Sequence, residues 1–363
     1  MSNLLSVIVN QNGYEYDIHS LVKAFFPKED VKVFADAEKI AELEQEEAPL
    51  FHMEVLFDEE EQIVKMDMEG GKRPMSAWCP VDFSDRTETK NRLKRAMYQM
   101  LSEYTGQTLP WGTLTGIRPT KIPMGMLEEG KTEAEIRQYM EQTYNCSREK
   151  TDLSIEIAKR ELNLLKQLDY ERGYSLYVGI PFCPSTCLYC SFTSYPLSRW
   201  EKEVDHYLDA LEKEIAFTAE SFKEKHLNTI YIGGGTPTTL SPQQLDRLIG
   251  KIKSSFDLSH LLEFTVEAGR PDSITREKLE VLRKHDISRV SINPQTMKQE
   301  TLDIIGRHHT VEQTIDSYKL ARELGFDNIN MDLIMGLPQE TLEDVRRTME
   351  VLKELEPDNI TVH

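Results

Sequence analysis

Three cysteines, Cys183, Cys187 and Cys190, lie in one short segment of the sequence, with three and then two residues between them. The segment follows an apolar stretch that is predicted to form a strand and to stop at Pro181. Three thiolates in one loop can converge on one point, and thiolate is a soft ligand that suits zinc and iron–sulfur clusters. A closed structural zinc site takes four ligands, and no fourth cysteine or histidine follows nearby. The spacing therefore favours an iron–sulfur cluster with one iron left open.

Two other interpretations of the three cysteines stay open. They could form a three-thiolate zinc site completed by a distant residue, or they could simply be buried in a loop. A disulfide framework is not expected, because five cysteines in 363 residues is a sparse and odd number. Cys79 and Cys146 each stand alone in the sequence, and we expect them not to bind the cluster.

The elements that position the cysteine segment alternate between apolar strands and amphipathic helical stretches. The predicted strands are 175–180, 229–233, 262–267, 289–293, 329–334 and 359–363. Strands that alternate with helices imply right-handed βαβ units and a parallel sheet. We therefore predict an α/β fold, a partial (β/α)6 TIM-like barrel, with its site at the carboxyl ends of the strands.

Glycines and polar residues cluster just past these predicted strands, as such a site requires. Three consecutive glycines let the backbone approach a ligand without a Cβ in the way. Any one of these residues could be a satisfied core group, but all of them beside three cysteines are hard to assign to packing. They are Gly233, Gly234, Gly235, Thr236, Glu267, Gln295, Arg307 and Asp332.

The cysteine spacing, with Tyr189 before the last cysteine, resembles the radical S-adenosylmethionine (SAM) superfamily. Three further motifs, Gly233-Gly-Gly-Thr-Pro-Thr, Gly306-Arg-x-His and Asp332-Leu-Ile-x-Gly-Leu-Pro, make the resemblance more specific. Together they resemble the oxygen-independent coproporphyrinogen III dehydrogenase family over residues 175–363. The region before them resembles the HemZ branch of that family.

The resemblance implies two cofactors and a role for each motif. The three cysteines would hold a [4Fe–4S] cluster, and SAM would bind its open iron. The segment 233–236 would lie along the methionine moiety of SAM. Glu267 and Gln295 would hold other parts of the cofactor, Arg307 its carboxylate and Asp332 a ribose hydroxyl. Tyr177 would lie near the substrate, although it could also be an ordinary strand aromatic.

The implied reaction is the oxidative decarboxylation of two propionates of coproporphyrinogen III to vinyl groups, which gives protoporphyrinogen IX in haem biosynthesis. The implied partners are this tetrapyrrole and a one-electron donor such as flavodoxin or ferredoxin. A haem-binding chaperone on the same scaffold is the alternative, because the Cys-x-Phe form that ends at Phe192 is shared with haem-chaperone relatives. His206, His308 and His309 would then be candidate axial ligands. A radical SAM enzyme with another substrate is the third possibility.

The first part of the chain lacks the strand–helix repeat, which predicts a separate α+β domain of uncertain role at 1–170 and the radical SAM barrel at 171–363. Because the family continues beyond the position of His363, we expect the barrel to be truncated. The predicted N-terminal elements are a strand at Leu4–Val9, a helix at Tyr16–Phe26, a hairpin of Leu50–Phe57 and Gln62–Met68, and helices at Thr87–Tyr104, Glu133–Tyr144 and Arg148–Leu168.

Composition and charge limit the classes of partner. The net charge of −19 disfavours binding to nucleic acid. The sequence has no apolar run of 18 residues and no basic signal region at its start, so we expect a cytoplasmic protein without a membrane span. An anionic substrate would then need locally placed cations. Arg118 and Lys121, in the irregular loop that ends at Lys121, could contact a carboxylate, or that loop could be a domain connection packed on Trp111.

Overall fold

A computed structural model describes residues 3–35, 38–39, 48–169 and 171–363 of the chain. The chain divides into two compact units, Met1–Gln167 and Leu168–His363. None of the helices in the described ranges combines the length and the apolar character that a bilayer crossing needs.

The first unit contains a five-stranded sheet in the order β2-β1-β3-β4-β5. Its strands are Leu4–Val9 (β1), Asp30–Phe34 (β2), Phe51–Asp58 (β3), Ile63–Gly70 (β4) and Met75–Pro80 (β5). The predicted hairpin is confirmed, because β3 and β4 are antiparallel neighbours. Strands β2 and β5 were missing from the prediction. Both lie at the edges of the sheet, and β5 ends in a proline, which weakens the sequence signal of a strand.

In the described ranges, the helices of the first unit whose bounds are defined agree with the prediction to within a few residues, with one addition. They are Glu15–Phe25 (α1), Arg86–Thr105 (α2), Lys121–Glu128 (α3), Glu133–Tyr144 (α4) and Arg148–Leu165 (α5). Helix α3 was not predicted, since a loop had been expected up to its first residue. Helix α4 begins with a capping box, in which Thr132 and Glu135 satisfy each other's backbone N–H groups.

The second unit is built on six parallel strands that follow one another across the sheet in chain order. They are Gly173–Ile180 (β6), His226–Gly234 (β9), Glu263–Glu267 (β10), Arg289–Ser291 (β11), Ile329–Leu333 (β12) and Asn359–Val362 (β13). Within the described residues, β6 and β13 are the two edges of this sheet and do not pair with each other. A parallel sheet with an open seam confirms the predicted partial (β/α)6 barrel.

The helices of the second unit alternate with the strands, as the prediction requires. The longer ones are Val204–Ser221, Pro242–Ser255, Arg276–Lys284, Val311–Glu323 and Leu342–Leu355. Three of them begin with capping boxes, at Ser241, Thr310 and Thr341. The chain forms short helical turns at 197–203, and the long first helix starts at Val204.

The two faces of the parallel sheet differ in chemistry. Alternate residues such as Ile230, Ile232 and Val266 are buried in an apolar cluster to which side chains of the helices also contribute. The residues between them point to the other face, since side chains alternate along a strand. We call this other face the inner face. Its side chains are mostly polar or small, and they are Tyr177, Gly179, Tyr231, Gly233, Thr265, Glu267, Ser291, Asn330 and Asp332.

The face assignment makes a testable prediction about stability. Ile232→Ala empties a fully buried position and should lower the free energy of unfolding by about 2–5 kcal/mol. Leu262→Ala, at a position that is 51% exposed beside β10, should change it by less than about 0.5 kcal/mol. Urea unfolding of the full chain measures both. Equal losses in the two variants would contradict the assignment of the core to the helix-facing side.

Candidate functional site

The three cysteines lie on an irregular loop that leaves the carboxyl end of β6. Just past Pro181, the short strand Phe182–Cys183 (β7) pairs with Tyr195–Pro196 (β8), and this pairing closes the loop between them. Cys183 is buried, whereas Cys187 and Cys190 are half-buried, and all three are free thiols. We call residues 183–190 the cysteine loop.

The pKa of Cys183 reflects its burial and the groups around it. Burial raises the pKa of the Cys183 thiol, a hydrogen bond with Thr236 and the charge of Arg270 lower it, and Cys190 and Cys187 raise it further. No three His, Cys, Asp or Glu side chains within the described ranges are grouped around one point that could hold a single metal ion. A [4Fe–4S] cluster poses a different requirement, because each thiolate binds its own iron.

The cysteine loop is fastened to the segment that follows β11. Ser185 Oγ donates to the carbonyl of Gly306 at 2.9 Å, and the backbone N–H of Leu188 donates to the carbonyl of Ile305 at 3.0 Å. The guanidinium of Arg307 donates to the hydroxyl of Tyr189 at 3.1 Å. Burial raises the pKa of Tyr189 to about 12, against the charge of Arg307, so the phenol stays neutral.

A second buried arginine, Arg270, reaches the same loop from the end of β10. Its Nη1 donates to the carbonyl and the hydroxyl of Ser185 at 3.3 and 3.2 Å, and lies 3.5 Å from Sγ of Cys187. Its Nε and Nη2 bind the two carboxylate oxygens of Asp272 at 3.0 and 2.7 Å. Burial raises the pKa of Asp272, but the bonds from Arg270 outweigh it and hold that pKa below its usual value.

Gly233 and Gly234 end β9, and Gly235, which follows them, lies directly against the first cysteine. The N–H of Gly235 donates to the carbonyl of Ile180 at 2.7 Å. A Cβ on Gly235 would lie 2.6 Å from the carbonyl oxygen of Phe182 and 2.9 Å from Sγ of Cys183, so no larger residue fits without a shift. The next residue, Thr236, has its hydroxyl 3.4 Å from the same sulfur.

An acid and two tyrosines lie next to the glycines on the inner face. A Cβ on Gly233 would lie 3.3 Å from the carboxyl carbon of Glu267. Tyr231 donates a short hydrogen bond to Glu267, whose pKa is raised by burial and by the charge of Asp332. The ring of Tyr177 stacks on that of Tyr231, with centroids 5.9 Å apart and planes 10° apart. Tyr177 is 62% exposed, so its other face is open to a ligand.

The ends of β11 and β12 bring together the remaining polar candidates. Gln295 has φ +66°, which is unusual for a residue with a side chain and marks a constrained site. Its backbone N–H donates to the carbonyl of Asp332 at 2.9 Å. The side-chain oxygens of Gln295 and Asn293 are buried and have no hydrogen-bond partner among the described residues. Each such acceptor costs roughly 1–3 kcal/mol, which a ligand with N–H or O–H donors could recover.

Arg307 lies at the same strand ends but is 3% exposed. Its Nη2 donates to the backbone carbonyls of Gly269 and Asn293 at 2.7 and 2.6 Å, in addition to the bond with Tyr189. Most of its guanidinium therefore holds protein groups together. Its binding to the carboxylate of SAM stays a prediction.

The histidines considered as haem ligands lie in different environments. His206 and His308 are exposed, and His206 pairs with Glu203 at 3.1 Å. His309 is fully buried, contrary to the expectation of an accessible ligand, and neither of its ring nitrogens has a partner in the described part of the chain. Burial, together with the charge of Arg307, lowers its pKa to about 4.

The isolated cysteines and the two candidate cations belong to the first unit. Burial raises the pKa of both Cys79 and Cys146, and Cys146 donates to the carbonyl of Trp111 at 3.2 Å. Lys121 is exposed, and Arg118 lies 3.7 Å from Glu161 on the surface. A role for Arg118 and Lys121 in binding substrate stays a prediction.

Sequence reasoning missed the roles of Arg270, Asp272 and Tyr231. The signal for Tyr231 was the strand alternation, which puts it on the same face as Tyr177. The signal for the other two was an arginine and an aspartate two residues apart, immediately past a predicted strand end. Nothing local in the sequence indicates that Arg270 pairs with a loop more than eighty residues earlier.

Comparison with known proteins agrees with this geometry. Residues 177–352 match the family model described as the Radical SAM superfamily. The oxygen-independent coproporphyrinogen-III oxidase-like protein HemZ of Bacillus subtilis is 43% identical over 280 residues, which make up 76% of this chain and 56% of that protein.

Two further relatives each match about half of the chain. The heme chaperone HemW of Bacillus subtilis is 40% identical over 193 residues, or 52% of this chain and 49% of that protein. The oxygen-independent coproporphyrinogen III oxidase of Escherichia coli is 36% identical over 192 residues, or 53% of this chain and 42% of that protein. The chain thus spans about half the length of these curated relatives. It contains a radical SAM domain and is homologous to HemZ, HemW and the coproporphyrinogen III oxidases.

The residues at the strand ends fit the cofactors of that superfamily. The donor set consists of free thiols, the backbone of Gly235 lies directly beside Cys183, and the buried amide oxygens of Asn293 and Gln295 have no donor among the described residues.

Replacing each cysteine by serine tests which thiols bind iron. After anaerobic reconstitution with iron and sulfide, Cys183→Ser, Cys187→Ser and Cys190→Ser should each retain less than about a third of the wild-type iron, because a cluster needs all of its thiolate ligands. Cys79→Ser and Cys146→Ser are the matched controls and should retain it. If Cys79→Ser lost as much iron as Cys187→Ser, the assignment of the cluster to the cysteine loop would be wrong.

The low pKa of His309 predicts acid sensitivity of the apoprotein. An unfolded histidine titrates near pH 6.5 and the folded one near 4, so the unfolded state binds more protons between these values. Stability should therefore fall as the pH drops from 6.5 towards 4, by roughly 2 kcal/mol between pH 6.5 and 5. His309→Met removes this contribution. Urea unfolding at several pH values measures it, and parallel profiles for wild type and variant would contradict the prediction.

Proposed function

We propose that this chain is a radical SAM enzyme that carries out the oxygen-independent oxidative decarboxylation of two propionates of coproporphyrinogen III. For each propionate, one hydrogen atom leaves the β-carbon. Loss of carbon dioxide and transfer of one electron to a one-electron acceptor then leave a vinyl group. The names of two relatives support this substrate, because HemZ is named for its likeness to the oxidase and the Escherichia coli protein is named as the oxidase itself.

One observation carries the proposal: the cysteine loop and the polar strand ends form one continuous site. Cys183 contacts the glycine segment, and Gly233 in turn lies against Glu267. The charge of Asp332 raises the pKa of Glu267. The backbone carbonyl of Asp332 accepts a hydrogen bond from the N–H of Gln295. A site with a thiolate loop at one end and carboxylates at the other suits a cluster together with a cofactor that carries ammonium and hydroxyl groups.

The side chains of this site would bind and orient the cofactor. Backbone groups of Gly233 and Gly235 would lie along it, at two positions where a Cβ would clash with Tyr231 and with the carbonyl of Phe182. Gln295 would accept a hydrogen bond through its free amide oxygen, and Asp332 would accept one from a ribose hydroxyl. When bound, the reduced cluster and SAM together supply a carbon radical that can remove hydrogen from an unactivated C–H group.

The inner face would position the substrate. Tyr177 presents an exposed ring at the level of Tyr231, and this pair of stacked rings offers an apolar surface to one edge of a tetrapyrrole. Tyr231 is fixed by its bond to Glu267, which keeps the stack rigid. The reaction also requires a one-electron donor, for which a flavodoxin or a ferredoxin is the expected partner, in the cytoplasm.

A haem chaperone is the second candidate, and two observations favour it. HemW of Bacillus subtilis is named as a heme chaperone and is 40% identical over 193 residues. In addition, Phe192 follows the last cysteine by two residues and is 75% exposed, so it is available to an apolar ligand such as haem.

An anaerobic assay distinguishes these functions. The full chain is reconstituted with iron and sulfide and incubated with SAM, dithionite and coproporphyrinogen III. We expect methionine, 5′-deoxyadenosine and a product with vinyl groups, all of them absent with Cys187→Ser. Production of 5′-deoxyadenosine without a vinyl product would indicate another substrate. Tight haem binding with neither product would support the chaperone.

The role of Asp332 is testable by binding alone. Asp332→Ala should weaken binding of SAM to the reconstituted protein by about one to two decades, because a hydrogen bond to a charged group contributes roughly 1.5–3 kcal/mol. Asp316→Ala, an exposed acid on helix Val311–Glu323, is the matched control and should leave the dissociation constant unchanged. Equal affinities in wild type and Asp332→Ala would mean that this carboxylate serves only the protein.

A further inference from the structure

We propose that Arg270 is a positioning residue for the cluster: it braces the cysteine loop and donates a hydrogen bond to Cys187, and both effects favour cluster reduction. The inference rests on the proposed function, since it assumes a cluster on the cysteine loop. It concerns a side chain for which the cofactor motifs provide no role.

The geometry of Arg270 is that of a fixed donor. It follows the carboxyl end of β10 by three residues and is 3% exposed. The planar guanidinium binds Asp272 through Nε and Nη2, which leaves Nη1 for the cysteine loop. There Nη1 meets two atoms of Ser185 and the sulfur of Cys187. Because Asp272 already holds one edge of the planar guanidinium, Nη1 can donate to the cysteine loop with little further loss of side-chain entropy.

The partner Asp272 explains how a charged group can stay buried at this point. An isolated buried guanidinium would be strongly destabilising, whereas a paired one is tolerated. The side chains of both members are largely buried, with 4% and 20% exposed, and their nitrogen–oxygen contact is 2.7 Å. The pair therefore fixes a donor beside the thiol independently of any ligand.

A fixed donor beside a cluster sulfur affects the reduction of the cluster. Reduction adds negative charge, and hydrogen bonds to the sulfurs together with nearby positive charge make that addition more favourable. Arg270 supplies both from one side chain. If Arg270 only held the cysteine loop in place through Ser185, its removal would leave the midpoint potential of the cluster unchanged. Measurement of that potential therefore separates a structural role from an effect on reduction.

The test uses the full chain with three substitutions. Arg270→Met removes the charge and all donors, whereas Arg270→Lys keeps the charge and loses the fork. Arg276→Met is the matched control, because this arginine is exposed and pairs with Glu323 on the surface. Each protein is reconstituted anaerobically, its iron is measured, and its midpoint potential is obtained by a redox titration followed by electron paramagnetic resonance. Hydrogen–deuterium exchange of the cysteine loop is measured on the apoproteins.

At equal iron content, reduction of Arg270→Met should be at least about tenfold less favourable than in wild type, a shift of about 59 mV to lower potential. Arg270→Lys should lie between the two, and Arg276→Met should match wild type. The apo loop should exchange faster in Arg270→Met, by about tenfold or more.

A midpoint potential of Arg270→Met equal to that of wild type overturns the proposal, whatever the exchange shows. Arg270→Lys keeps the positive charge that pairs with Asp272, so it serves as the test if Arg270→Met does not fold. A midpoint potential of Arg270→Lys equal to that of wild type would then overturn the proposal. Failure of the wild type to take up iron would instead contradict the proposed function, and the exchange of the apo loop would still test the brace.

Discussion

The site depends on two buried arginines that hold an irregular loop in place. The cysteine loop has little secondary structure of its own, so its position is set by donors from elsewhere in the second unit. Arg270 binds it at Ser185 and Cys187, and Arg307 binds it at Tyr189. Arg270 follows the end of β10 and pairs with Asp272, whereas Arg307 donates to the backbone carbonyls of Gly269 and Asn293, just past β10 and β11. Three flexible thiols thereby become a set with a defined position.

The sheet beneath explains why these groups meet. Parallel strands bring all their carboxyl ends to one edge, and the strict order of the six strands makes sequence neighbours into spatial neighbours. One face is covered by helices and is apolar, which leaves the polar residues on the inner face. Gly233, Glu267 and Asp332 thus line one side of a single site although the chain separates them widely. At this site Gln295 has a strained backbone, and its amide oxygen has no hydrogen-bond partner among the described residues. Both features are unfavourable for folding and are typical of a ligand-binding site.

The sequence predicted the strands of the second unit to within a few residues, because apolar runs alternating with amphipathic helices leave little ambiguity. It also predicted that the cysteines and the strand-end motifs would share one edge. It did not predict β5, since an edge strand that ends in a proline lacks a clear pattern. It also made His309 a candidate haem ligand, although this residue is fully buried. The bond from Arg270 to the cysteine loop depends on the twist and spacing of strands, which local patterns do not encode.

The central claim is that the cysteine loop and the polar strand ends form one site for a cluster and SAM. Electron paramagnetic resonance of the reduced, reconstituted protein tests it most directly, because a molecule that binds the open iron changes the environment of the cluster electrons. We expect the spectrum of the reduced cluster to change when SAM is added, and adenosine, which lacks the amino and carboxylate groups that would bind the open iron, not to reproduce this change. Identical spectra with and without SAM, in protein that carries a full complement of iron, would contradict it.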